Sequence, residues 1–142
     1  MHKQTSRFNR IGLFAKHNNS SVLDTLEKLI HFLQKRGHTL SIETQSAALL
    51  SNQGNLDHNI QIIPKEYLGE AVDLVIVIGG DGSLLNAARA IVAHQVPVVG
   101  INRGRLGFLA DILPENMEQE LNAILDGHYL GEQRFLLNAR II

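Results

Sequence analysis

Apolar runs alternate along this chain with stretches in which apolar residues recur every third or fourth position, a pattern that predicts strands and helices in turn. The first run, RIGLFAK over residues 10–16, ends in the polar turn HNNSS. It reads as a buried strand followed by a helix entry with Ser20 or Ser21 as cap. Val22, Leu26, Leu29, Ile30 and Leu33 then share one helical face, and Gly37 stands where a left-handed residue would end the helix. HTLSIE, residues 38–43, predicts a second strand.

Over residues 44–68 the signals weaken. NQGNLDHN is loop-like, IQII is a candidate short strand, Pro64 interrupts, and nothing more is assigned there. DLVIVIGG is the clearest strand, continuously apolar as a central parallel strand covered on both faces should be. SLLNAARAIVAH predicts a helix, and VPVVGIN another strand with Pro97 tolerable among its first residues. The turn NRGRLGF leads to the helix PENMEQELNAILDG, whose Pro114 suits a first turn and whose Gly127 suits an end. This order implies the α/β class: an open, mainly parallel sheet with right-handed crossovers and flanking helices. The last stretch, YLGEQRFLLNARII, is strand-like but has no return partner, and the expectation is a segment leading out of the domain.

Composition narrows the function classes. A chain of 142 residues with 44% apolar and 19% charged residues suits one folded domain. A net charge of -1 gives no general attraction to nucleic acid or anionic lipid, so any phosphate binding must be local. The absence of cysteine excludes disulfides and thiolate metal sites. The polar start MHKQTSRFNR offers no signal segment and no apolar run is long enough to span a membrane, so the expected location is the cytoplasm. The seven histidines show no paired metal spacing.

The chemistry concentrates in VIVIGGDGSLLNAARA, residues 75–90. In an open parallel sheet, ligands bind beyond the carboxyl ends of the strands, where this glycine turn falls. Gly79, Gly80 and Gly82 allow close backbone approach, and the helix opening at Ser83 offers free amides to phosphate oxygens. Asp81 would repel a phosphate, so it needs another partner: a divalent cation such as magnesium, or a hydroxyl whose proton it accepts. Both belong to phosphoryl transfer from ATP to an alcohol. The plainer role for Asp81 is a helix cap. The turn lacks the Gly-Lys-Ser/Thr of a Walker loop and the Gly-x-Gly-x-x-Gly of a dinucleotide fingerprint.

GGDGSLLNAAR, followed by PVVGINRGRLGFLADI, resembles bacterial NAD kinases over most of residues 73–142 and in the layout of the weaker N-terminal half. The resemblance implies a Rossmann-like fold and transfer of the terminal phosphate of ATP, or of polyphosphate, to the 2′-hydroxyl of the adenosine ribose of NAD. It implies Asp81 as proton acceptor, with Gly80 and Gly82 lining the phosphates. Asn102, Gly104, Gly107 and Phe108 would form the turn beside the nucleotide, with Phe108 against adenine or, equally, as a core aromatic. Gly79, Ser83 and Asn86 complete the candidate nucleotide-binding set. Arg103 and Arg105 could meet phosphates or a partner subunit, or be solvated, and Arg89 is expected on the surface.

A divalent metal, and a homo-oligomer (dimer or tetramer) in the full-length form, are implied in the same way. Family members are about twice as long and carry an Asn-Glu pair, a substrate-reading aspartate and a second glycine loop in a C-terminal β-rich domain. None of these occurs here. Residues 1–129 are therefore expected to form the α/β nucleotide-binding domain and residues 130–142 the crossing into a second, absent domain, leaving little kinase activity in this chain alone. Gly-Gly-Asp-Gly is shared with phosphofructokinases and diacylglycerol kinases. A phosphofructokinase would carry a further glycine loop after its first strand, where LFAKHNNSS has none. A non-catalytic nucleotide-binding module remains the alternative of a different class.

Overall fold

A computed structural model describes residues 8–15, 20–51, 59–79, 89, 96–102, 115 and 117–126. The elements in order are β1 (Arg10–Ala15), α1 (Ser20–Lys35), β2 (Thr39–Glu43), α2 (Thr44–Ser51), β3 (Gln61–Ile63), α3 (Lys65–Ala71), β4 (Leu74–Gly79), β5 (Val98–Asn102) and α4 (Met117–Leu125). The five strands form one sheet in the order β3-β2-β1-β4-β5, and every described pairing is parallel.

Side chains alternate between two cores. Ile11, Leu13, Leu74, Ile76, Ile78, Val99 and Ile101 face the layer built by α1, α2 and α4. Phe14, Val75, Val77 and Val98 point the other way and meet Leu68 and Val72 at α3. β4 is buried along its whole length, as its unbroken apolar run requires. From β3 at one edge the chain must pass β2 and β1 to reach β4, and α3 makes that passage on the opposite face from α1 and α2. Reversing the direction of winding while keeping one crossover hand demands this change of face.

Glycine allows two close fits. A side chain at Gly12 would lie 3.1 Å from Val72 and 3.2 Å from Leu68, so α3 seats on bare backbone of β1. Gly37 has φ +90°, with its N–H donating to Gln34 and the His38 N–H donating to Leu33. That pair of bonds is a Schellman ending for α1, at the glycine where the sequence predicts one. Val22, Leu26, Leu29 and Leu33 are buried, with Ile30 packed at the margin.

The stretch left largely unassigned contains two helices, α2 and α3, around the short edge strand β3. α2 is capped by Glu43, whose carboxylate accepts the amides of Gln45 and Ser46 at 2.8 and 3.0 Å. The predicted helix over residues 83–94, apart from Arg89, and the final stretch over residues 130–142 lie outside the described residues, as do Pro114 and Gly127. Pro97 precedes β5 and its carbonyl accepts the Val75 N–H at 3.0 Å.

Candidate active site

The sheet order places the site. β1 leads outward through β2 to β3, then β4 returns to pair on the free side of β1, so the topological switch lies between β1 and β4. Parallel strands that part at such a point leave a crevice beyond their carboxyl ends, which is where an α/β sheet takes its ligand. On that rim stand Ala15 of β1, Glu43 of β2, Gly79 of β4 and Asn102 of β5.

Gly79 and Asn102 are paired residues in the β4–β5 register. The last described residues before the two candidate motifs' further positions, far apart along the chain, therefore stand side by side on the sheet. Gly79 adopts φ 153°, a backbone conformation that residues with a Cβ rarely adopt, so the glycine turn begins with strain that only glycine relieves. Of the site residues expected from sequence, Gly79 and the backbone of Asn102 are described and brought together. Gly80, Asp81, Gly82, Ser83, Asn86, Gly104, Gly107 and Phe108 lie outside the described residues, as do Arg103 and Arg105. Arg89 is exposed.

Sequence reasoning missed a polar group on the same rim. Glu43 and Ser46 are buried, at 3% and 0% exposure, and the Ser46 hydroxyl accepts the Ala15 N–H at 2.7 Å. The pattern Glu-x-x-Ser at the end of a strand was the available signal: a carboxylate one position before a helix can reach the amides two and three residues on.

Among the described residues the perturbed titrations belong to the opposite end. Burial alone would raise the Asp73 carboxyl, but hydrogen bonds from the Arg10 side chain and the Arg10 and Asn9 amides, with the guanidinium charge, hold it below its ordinary value. The same pair raises Arg10. His38 is lowered by burial and then by the neighbouring Arg36, against hydrogen bonds to the backbone of Asn9 and Phe8. A concavity of about 410 Å³ lined by Gln34, Gly37, His38, Thr39, Leu40 and Asn59 opens there, at the amino end of β2 and away from the glycine turn. Among the described residues no three His, Asp or Glu side chains are grouped as a metal ion would require.

Comparison with known proteins decides the family. Residues 11–129 match the model of the ATP-NAD kinase N-terminal domain. The chain belongs to the NAD kinase family. It is 48% identical over 135 residues to the NAD kinase of Pseudomonas putida strain W619, covering 95% of this chain and 44% of that protein. The NAD kinase of Cellvibrio japonicus strain Ueda107 is 46% identical over 136 residues, covering 96% of this chain and 45% of its own length. The chain thus spans somewhat under half the length of the NAD kinases it matches. A crystal structure of yeast NADH kinase complexed with NADH superposes with a TM-score of 0.72 over 90% of this chain and 43% of the yeast chain. At 17% identity that likeness concerns the fold, and it agrees with the α/β, Rossmann-like expectation. No helix among the described residues is long and apolar enough to cross a membrane.

Proposed function

We propose that this chain is the nucleotide-binding half of a cytoplasmic NAD kinase, and that its glycine turn and the turn after Asn102 hold the reacting nucleotides. The observation that carries this is the pairing of Gly79 with Asn102 beside the switch between β1 and β4. In the reaction, the 2′-oxygen of the adenosine ribose of NAD attacks the terminal phosphorus of ATP. The new O–P bond forms as the bond to the bridging oxygen breaks, and ADP leaves with the bond's electron pair. Asp81 accepts the hydroxyl proton. Such transfers depend on positioning and charge stabilisation more than on covalent help.

In this reading Gly80 and Gly82 line the phosphates, Ser83 and Asn86 belong to the same nucleotide-binding set, and Asn102, Gly104, Gly107 and Phe108 form the turn next to the nucleotide, with Phe108 against the adenine. A divalent ion such as magnesium would neutralise charge building on the transferred phosphate. Residues 1–129 act as this domain and residues 130–142 as the crossing to a second one, and the complete enzyme works as a homo-oligomer.

The test is equilibrium binding of NAD and of ATP to the 142-residue chain, with and without magnesium, for wild type and Asp81→Asn. Weak nucleotide binding that strengthens with magnesium supports the kinase reading. Binding indifferent to metal, and kept or improved in Asp81→Asn, supports a non-catalytic module. NADP formation by this chain at the rate of a longer NAD kinase would refute the assignment to one half.

A further inference from the structure

β1 extends further than its neighbour β2. Their pairing ends at Leu13 with Ile42, whereas β1 continues against β4 to Ala15 with Ile78. After Glu43 the chain turns into α2, so no backbone of β2 is left to meet the last residue of β1. Ser46 takes that place. Its hydroxyl oxygen accepts the Ala15 N–H at 2.7 Å and lies 2.9 Å from the Ala15 carbonyl, so one side chain engages both backbone groups of the residue. Glu43 sets the hydroxyl from the other side, with Oε1 at 2.7 Å. The single hydroxyl proton is shared between the carboxylate and the carbonyl. The group is enclosed, which makes its geometry stiff and its loss costly.

Ala15 is the end of β1 at the switch, across from Ile78 and one register step from Gly79. Whatever fixes Ala15 fixes the β1 side of the switch, beside the Ile78–Gly79 end of β4. We propose that Ser46 is a positioning residue of the nucleotide site, acting through the Ala15 backbone. This rests on the nucleotide site proposed above. Ser46 touches no reacting atom; it holds the strand end in the spacing that the phosphates need.

The test measures binding of NAD and of magnesium ATP to wild type, Ser46→Ala and Asp73→Asn, each held well below its melting temperature. Asp73→Asn weakens the fold at the opposite rim and reports general loss of stability. Ser46→Ala is expected to weaken nucleotide binding about three- to tenfold, the scale of one hydrogen bond, with Asp73→Asn binding as wild type does. Equal affinity in wild type and Ser46→Ala overturns the positioning role and leaves Ser46 a structural residue. Equal weakening in both variants overturns it as well. Wild type that binds neither nucleotide refutes the site reading instead. Should Ser46→Ala not fold, amide NMR of the wild type decides: the Ala15 and Ser46 resonances shift on nucleotide addition, and unmoved resonances overturn the proposal.

Discussion

Arg10 and Asp73 hold each other at three points. The Asp73 N–H donates to the Arg10 carbonyl at 2.7 Å, the Arg10 N–H donates to Asp73 Oδ2 at 2.9 Å, and the guanidinium meets Oδ1 at 2.9 Å. Asn9 donates to Oδ2 as well, at 3.1 Å. The start of β4 is thereby fastened to the start of β1, at the rim opposite the candidate site. The exposed ion pair adds little by itself; the bonds to backbone amides carry the effect.

Asp73→Ala should therefore cost about 1–2 kcal/mol of stability, read as a lower urea midpoint with unchanged slope. Because the folded pKa of Asp73 is lowered from 3.8, its contribution is complete above that value and is lost as pH falls through the lower, folded one. The gap between wild type and variant should close in that acid window. A gap that persists there would show that the charge is not what matters.

His38 predicts a second pH dependence, at higher pH. Its ring stands beside Arg36, whose Nε–H donates to His38 Nε2 at 3.2 Å, while the same guanidinium pairs with Asp126 at 3.0 Å and with Asn122 on α4. A proton on Nε2 would face the Arg36 donor. Its folded pKa is lowered from 6.5, so stability is full above that value and declines as pH falls below it toward the folded pKa. Replacing His38 with Gln should flatten the fall in urea midpoint between about pH 8 and about pH 5. An unchanged profile would place the titration elsewhere.

Gly12 and Gly37 should fail for different reasons. Gly12→Val drives a side chain into Leu68 and Val72 and should cost about 1–3 kcal/mol by overpacking. Gly37→Ala meets nothing within 4 Å, so its cost, about 1–2 kcal/mol, is that of the left-handed backbone alone. Gly37→Asn should recover part of that loss, whereas a smaller side chain in place of Leu68 should recover part of the loss at Gly12. Thermal melts of the four variants separate the two mechanisms.

Gly79→Ala should weaken nucleotide binding at the glycine turn more than it lowers the melting temperature. The strain at φ 153°, about 1–3 kcal/mol, falls on the last residue of β4, at the carboxyl rim. Wild-type affinity in Gly79→Ala would remove this residue from the site.

The candidate chemistry was legible in the sequence because a glycine turn that starts with a positive φ and carries one carboxylate tolerates few residue types. β4 and α1 were legible for a similar reason: an unbroken apolar run and a single apolar face each suit one environment. α2 and α3 were not. TQSAALLS has no clear polar face, and it is helical because Glu43 caps it and because Ala47 and Leu50 find the sheet. KEYLGEA is too short to declare a period, and its Leu68 is placed by a glycine far away on β1.

By itself, then, the sequence determined the class of fold, the glycine ending of its main helix and the kind of chemistry that GGDG can support, all properties written in neighbouring residues. Only the tertiary structure decided that β4 pairs with β1, that Gly79 lies beside Asn102, and that Ser46 grips Ala15. Those relationships depend on which strand edge remains free after β2 and β3 have added to one side of β1. Strand order is a choice among packings of similar elements, settled by the fit of both faces at once, and no local pattern records it.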